Sequence, residues 1–313
     1  MKTVPTLLYF LFEVLPMSTS RREFLANCSA AAAAGLALST PASLLAADNT
    51  TASGEKRIKK AVKIGMVGVK GTLAEKMTVL KELGFDGVEL NSPGGPEAEE
   101  VQKAVEVSGI PVHGVVDSIH WNTRLSDPDE EVRQKGLEGL FTAINASKSY
   151  GGTSVLLVPG VVNKDVTYDQ CWDRSIEQIK KALPLAEELN IQILMENVWN
   201  NFLTDPKETA RFIDEIDSDM VGAYFDVGNT VKYSPPHEWV PILGPRIKKL
   251  DIKDFGKGKG FGAKLLEGDV DWPKVMANLR EIDYQGWATA EISGGGRERL
   301  TEIADRMDRI FAS

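Results

Sequence analysis

The sequence predicts a single (β/α)8 domain, the TIM-barrel architecture, and three observations carry that prediction. Eight short apolar, β-branched runs alternate with eight longer amphipathic stretches, an order that builds a parallel sheet covered by helices. The repeat occupies about 250 residues, the usual span of such a barrel. The first strand leads into Val67-Gly68-Val69-Lys70-Gly71 rather than G-x-G-x-x-G, which disfavours an open doubly wound dinucleotide fold.

The strands are expected at 62–67, 87–90, 111–116, 153–158, 191–196, 221–226, 247–252 and 287–292. Helices are expected near 73–83, 97–107, 130–150, 169–189, 206–216, 238–243, 272–282 and 297–312. Several ends are signed. Gly84 follows the first helix, and Asn190 closes the fourth at a left-handed position. Asp205-Pro206 opens the fifth, a cap residue followed by proline at the first helical position. The sixth helix is the shortest. No linker divides the chain after residue 62.

The first 47 residues read as an address. Ser20-Arg21-Arg22-Glu23-Phe24-Leu25 precedes an Ala-rich apolar stretch, 29–47, that small residues close. This resembles a twin-arginine signal and implies export to the periplasm or another extracytoplasmic space. Residues 48–61 read as a short linker and 62–313 as the barrel. No later apolar run approaches the ~20 residues that a membrane span needs.

The chain has 313 residues, 36 Lys+Arg and 45 Asp+Glu, for a net charge of −9. That charge disfavours nucleic acid as a partner. Two cysteines and three histidines exclude a Cys-rich or His-rich metal site. Cys28 falls in the leader, and Cys171 in a helix reads as inert.

Barrel enzymes place their chemistry at the carboxyl ends of the strands. Here four consecutive ends carry acids: Glu196, Asp226, Asp251 with Asp254, and Glu291. Parity aims several of them inward, since Gln192, Leu194 and Glu196 share one face, as do Trp287, Thr289 and Glu291. One strand-end acid is ordinary surface. Converging carboxylates repel one another unless a cation neutralises them, which points to a divalent metal with hard oxygen ligands.

Near the same mouth, His120, Trp121, Glu89, Asn91 and Trp199 are candidate substrate contacts by position. His113 reads as a hydrogen-bonded barrel residue and His237, after two prolines, as surface. Two glycine-rich segments, 256–262 and 293–297, stand where barrels often bind phosphate, or they are simply solvated loops.

Five segments carry a family resemblance: His120-Trp121 with Leu125-Ser126-Asp127-Pro128, Leu194-Met195-Glu196-Asn197, Phe225-Asp226-Val227-Gly228-Asn229, Ile252-Lys253-Asp254, and Glu291-Ile292-Ser293-Gly294-Gly295. With Glu267-Gly268-Asp269-Val270-Asp271, they resemble the xylose isomerase-like barrels of the sugar phosphate isomerase/epimerase group, nearest L-xylulose-5-phosphate 3-epimerase-like proteins. The resemblance implies a metal held by Glu, Asp, His and Glu, which Glu196, Asp226 and Glu291 match. Asp251 stands where that family has His. Either Asp251 ligates, making an all-carboxylate site that suits Mn²⁺ or Mg²⁺ better than Zn²⁺, or the site is weakened. The first is preferred because aspartate keeps a ligand atom there. The resemblance further implies Glu196 and Glu291 as proton-transfer groups, and Asn229 and Lys253 as substrate contacts.

The implied function is a metal-dependent sugar isomerase or 3-epimerase working through α-proton abstraction. A 3-keto-glycoside lyase on the same metal site and a non-catalytic sugar-binding barrel are the alternatives. Export favours an unphosphorylated substrate. A homodimer is compatible with such barrels, although no exposed stripe in the sequence argues for one.

Overall fold

The computed structural model describes Asn49 and residues 57–313, so the expected leader lies outside the described residues. Eight parallel strands close on themselves in sequence order, the eighth pairing with the first. They are β1 Ile58–Lys63, β2 Gly87–Ser92, β3 Val112–Asp117, β4 Ser154–Leu157, β5 Gln192–Glu196, β6 Val221–Asp226, β7 Ile247–Ile252 and β8 Gly286–Ala290. The helices are α1 Leu73–Glu82, α2 Ala98–Ser108, α3 Glu130–Ser149, α4 Tyr168–Leu189, α5 Pro206–Ile216, α6 Val227–Thr230, α7 Pro236–Leu243, α8 Trp272–Glu281 and α9 Arg297–Phe311. Among the described residues no helix is long and apolar enough to cross a membrane.

The first strand corrects the sequence reading. It was expected at 62–67, with 48–61 as linker, but β1 begins at Ile58 and ends at Lys63, and a 3-10 turn covers Ile64–Met66. Lys59 and Lys60 give the segment a linker's composition. Lys60 is nonetheless buried, because its ammonium donates to the Ala304 carbonyl at 3.2 Å and pairs with Asp308 at 2.7 Å, both on α9. A paired lysine whose stem lies on apolar surface can occupy a strand that hydropathy alone rejects. The short α6 was also unforeseen; it is a single turn started by Asp226 itself.

Local chemistry fixes the helix ends. Thr72 and Glu75 form a reciprocal capping box on α1, and Thr167 and Gln170 do so on α4. Asp205 accepts from the Lys207 and Glu208 N–H groups ahead of α5. Asn190 takes the left-handed conformation at φ 54°, as its position after α4 predicts.

Most of the core lies between the strands and the helix ring. Outward residues such as Val62, Leu90, Phe225 and Leu250 join one continuous cluster with Met77, Leu80, Trp239 and Trp272. Each large side chain so buried contributes roughly 1.5–3 kcal/mol. Inside the barrel the apolar content is small: Leu156, Leu194 and Tyr224 form one layer, with Val116 against it.

The rest of the interior is polar and largely hydrogen-bonded, with Glu89 Oε2 and Ser154 Oγ left without a partner among the described residues. Tyr224 OH donates to Glu89 Oε1 at 3.0 Å and shares a 2.7 Å hydrogen bond with Thr289 Oγ1. Thr289 meets His113 Nε2 at 3.1 Å, and Lys249 Nζ lies 3.0 Å from His113 Nδ1. His113 also stacks on Trp287 with ring centroids 4.7 Å apart. Burial, then the Lys249 ammonium, hold its imidazole well below the usual histidine range, so it is neutral. This chain of groups is the floor on which the strand-end acids stand.

Candidate active site

The acids at the ends of β5, β6 and β7 and just beyond β8 converge. Glu196, Asp226, Asp251 and Glu291 each present one oxygen within 4.8 Å of the others. Asp226 and Asp251 are fully buried, Glu196 nearly so, and Glu291 stands at the mouth with its side chain 31% exposed.

Backbone chemistry aims Asp226. Asn197 Nδ2 donates to the Asp226 carbonyl at 2.8 Å, and Asp226 N–H returns a 2.9 Å bond to Asn197 Oδ1. Asp226 Oδ1 caps α6 by accepting from Asn229 N–H at 2.8 Å, which leaves Oδ2 for the cluster. Asn229 Nδ2 then closes the loop onto the Asn197 carbonyl at 3.0 Å. The paired asparagines in the two motifs thus lock β5 to β6. Gly228 is required between them, because a Cβ there would sit 2.7 Å from the Lys253 carbonyl oxygen.

Two lysines enter the cluster. Lys253 Nζ lies 3.0 Å from Asp226 Oδ2 and also contacts Glu291 Oε2. Lys63 Nζ, from the end of β1, lies 2.9 Å from Asp251 Oδ2 and 2.8 Å from Glu291 Oε1. Sequence reading missed Lys63 because it placed the strand four residues late, which put this lysine inside the strand instead of at its carboxyl end. Four carboxylates against two ammonium groups leave two formal negative charges, the complement of one divalent cation. Asp251 Oδ1 is buried with no hydrogen-bond donor among the described residues. An orphaned buried carboxylate oxygen beside three other oxygens fits a hard cation of the Mn²⁺ or Mg²⁺ kind.

The electrostatics separate the two glutamates. Burial, then the Glu291 charge, push Glu196 up to about 8. Burial would raise Glu291 as well, but Lys63 and Lys253 outweigh it and hold that carboxyl at about 2. Burial lifts Asp226 to about 6 against the pull of Lys253, and lifts Asp251 well above the carboxylate range.

Above the cluster opens a cavity of about 570 Å³, lined by Asn91, His120, Trp121, Trp199, Asn229 and Phe261 together with the glutamates and lysines. Of the predicted substrate contacts, the structure brings His120, Trp121, Asn229, Lys253 and Trp199 here. It does not bring Glu89, which is 1% exposed beneath the floor and held by Tyr224. Glu89 and Asn91 do share a strand face, but two residues along a strand change depth by ~7 Å, and only Asn91 reaches the cavity. Asp254, which the sequence reading set beside Asp251 at the end of β7, is also elsewhere. Its buried carboxylate accepts from the N–H groups of Phe255 and Leu266 (both 3.0 Å) and from the Trp272 indole at 3.1 Å. It ties down the loop after β7, whose ends meet where Asp269 N–H donates to the Phe255 carbonyl at 2.7 Å.

The glycine-rich segments have their own partners. Lys259 pairs with Glu267 at 3.1 Å and Arg297 with Glu82 at 2.7 Å. The 293–297 segment is bound to the turn after β1, through Gly68 N–H to the Gly295 carbonyl and Gly295 N–H to the Met66 carbonyl.

His120 gives a pH test. Its Nδ1 accepts from Val158 N–H at 3.2 Å. Burial, then the Lys63 ammonium, lower it to about 4. An unfolded histidine titrates near ~6.5, so between these values only the unfolded chain binds the proton. Stability from this group is therefore complete above about pH 6.5 and falls as pH drops toward 4. His120→Gln is expected to remove up to about 3 kcal/mol of that acid-side loss. Urea titrations near neutral and mildly acid pH measure it, and identical pH slopes for the two proteins would refute it.

The sequence profile of the Xylose isomerase-like TIM barrel family matches residues 77–311. The chain belongs to that family. Among curated relatives of this xylose isomerase-like barrel, L-ribulose-5-phosphate 3-epimerase UlaE of Salmonella heidelberg (strain SL476) is 23% identical over 255 residues, covering 76% of this chain and 88% of the relative. Inosose dehydratase of Bacillus thuringiensis (strain Al Hakam) is 21% identical over 251 residues, covering 72% and 83%. The solved structure of 3-keto-D-glucoside 4-epimerase, YcjR, from E. coli shares the fold at a TM-score of 0.71 and 17% identity, over 82% of this chain and all of that one. These relatives set the barrel among epimerase and isomerase enzymes.

Proposed function

We propose that this barrel is a divalent-metal-dependent sugar epimerase or isomerase that moves a proton on the carbon beside a ketone. The observation that carries the reading is the convergence of Glu196, Asp226, Asp251 and Glu291 within 4.8 Å at the base of an open cavity.

When bound, a cation there would polarise the ketone oxygen and favour the charge that develops on it. The chain's own groups do the proton work. Without a cation, Lys63 and Lys253 favour the ionised form of Glu291, whereas burial and the Glu291 charge favour the protonated form of Glu196. Two carboxyls whose surroundings drive them apart make one acceptor and one donor. Epimerisation needs both, one group taking the proton from one face of the carbon and the other returning a proton to the opposite face. Asn229 and Lys253 line the same wall and can orient substrate hydroxyls, while His120 is held neutral.

A second reading, elimination from a keto sugar, is supported by the inosose dehydratase relative, since elimination also begins with loss of an α-proton. The leader motif supports export, testable by fractionating cells that carry the chain with Arg21 and Arg22 intact or replaced by lysine.

The test of function is deuterium uptake. The protein with Mn²⁺ or Mg²⁺ is expected to add one mass unit to a ketose in D₂O and to lose that activity on chelation. Loss of a substituent instead would establish the eliminating reaction. Absence of both with every ketose tried would refute the proposal and leave a sugar-binding barrel.

A further inference from the structure

Among the described residues, four large hydrophobic side chains are exposed: Val107, Trp121, Trp199 and Phe261. The three aromatic ones all line the cavity above the carboxylates. Solitary exposed hydrophobics are ordinary, whereas several gathered at one opening mark a surface that meets an apolar ligand face.

They come from separate elements. Trp121 follows β3 and touches His120 edge-on at 5.4 Å, with the residue 47% exposed. Trp199 follows β5, and Phe261 lies in the loop after β7. Trp199 and Phe261 form a cluster with Phe255 whose centroids are 4.6–5.1 Å apart. Trp199 is fixed by its indole N–H, which donates to the Asn229 carbonyl at 2.8 Å. The rim is thus a built aromatic surface above a charged floor.

The size and charge of the cavity narrow its ligand. A single pyranose of twelve non-hydrogen atoms fills on the order of 200 Å³ at protein packing density, well under the roughly 570 Å³ available. A phosphate monoester would need an unengaged cation. The two lysines that line the cavity, Lys63 and Lys253, are each held by two carboxylates, and Lys232 beside the rim is engaged over the Trp199 ring at 4.6 Å.

The geometry points to a two-ring substrate: an unphosphorylated ketosugar carrying a second ring through a glycosidic bond, the reacting ring on the carboxylates and the second ring against Trp121, Trp199 and Phe261. This deepens the epimerase reading and rests on it for the placement of the reacting ring. The C–H face of a sugar ring, or an aryl group, stacks on such side chains.

The test uses the full-length protein with Mn²⁺ and three probes: D-fructose, D-fructose 6-phosphate and isomaltulose, a ketose with a second ring and a free hydroxyl beside its ketone. Calorimetry gives Kd, and mass spectrometry in D₂O gives exchange. Isomaltulose is expected to bind at least tenfold tighter than either single-ring probe. Phe261→Ala is expected to weaken isomaltulose by about tenfold and leave D-fructose unchanged, and Trp121→Ala is expected to weaken isomaltulose more than it weakens D-fructose. Tightest binding of the phosphate, equal binding of fructose and isomaltulose, binding of none, or variants that weaken both sugars alike would overturn the two-ring assignment. Exchange in fructose without an isomaltulose preference would refute this inference and keep the epimerase reading. Tryptophan-dependent isomaltulose binding without exchange in any probe would do the reverse.

Discussion

Glu291→Gln is expected to lower the rate of deuterium uptake into a ketose by about 10²–10⁴-fold, the usual worth of a positioned acid or base. The residue is the one member of the cluster that two ammonium groups hold ionised, with Lys63 Nζ 2.8 Å from Oε1 and Lys253 at Oε2. An amide has the same shape but accepts no proton at neutral pH. Its half-exposed position at the mouth and the remaining partners of both lysines, Asp251 and Asp226, keep the structural cost small. Circular dichroism and thermal midpoint are therefore expected to stay near wild type while exchange collapses. Glu196→Gln is expected to do the same, because its buried carboxyl is the donor of the pair. Wild-type exchange in both variants would sink the two-glutamate mechanism.

Lys63→Met has the largest expected effect on stability. Asp251 is fully buried, its Oδ1 has no hydrogen-bond donor among the described residues, and Lys63 is the ion-pair partner of its other oxygen at 2.9 Å. The variant loses the charged hydrogen bonds from Lys63 to Asp251 and Glu291, each worth about 1.5–3 kcal/mol. Denaturant titration of the chelated variant should show that loss. Added Mn²⁺ should restore part of it, and more than it adds to wild type, because the cation then supplies the missing positive charge. Unchanged stability in the variant would show that Asp251 carries a proton in the empty cluster and was never charged there.

The barrel was legible because its signals are redundant. Eight short apolar runs, eight amphipathic stretches and several capped ends all agree, so a four-residue slip in one strand does not alter the fold. That slip did hide Lys63, since a strand holding three lysines is recognisable only from the partners that bury them. The four converging acids were legible from position and parity. Glu89 and Asp254 were not separable from them, because a sequence fixes which face a side chain takes and not its depth along the barrel axis. Glu89 sits a layer too low, and Asp254, beyond the last inward turn of β7, points to its own loop. The aromatic rim was half visible: Trp121 and Trp199 flank recognisable motifs, whereas Phe261 looked like a spacer in a glycine run.

The loop after β7 leaves the barrel at Phe255 and returns at Asp269 almost to the same point, with the Asp254 carboxylate gripping both ends. A closed excursion of this kind is a cassette. Lengthening it costs little, about 0.6 kcal/mol for each doubling, and nothing in the strand register depends on what its tip contains. What its tip contains still reaches the chemistry at one point, since the Phe261 ring lies 5.2 Å from the Lys253 ammonium, so an exchange of the tip would retune the cluster's cation as well as the rim.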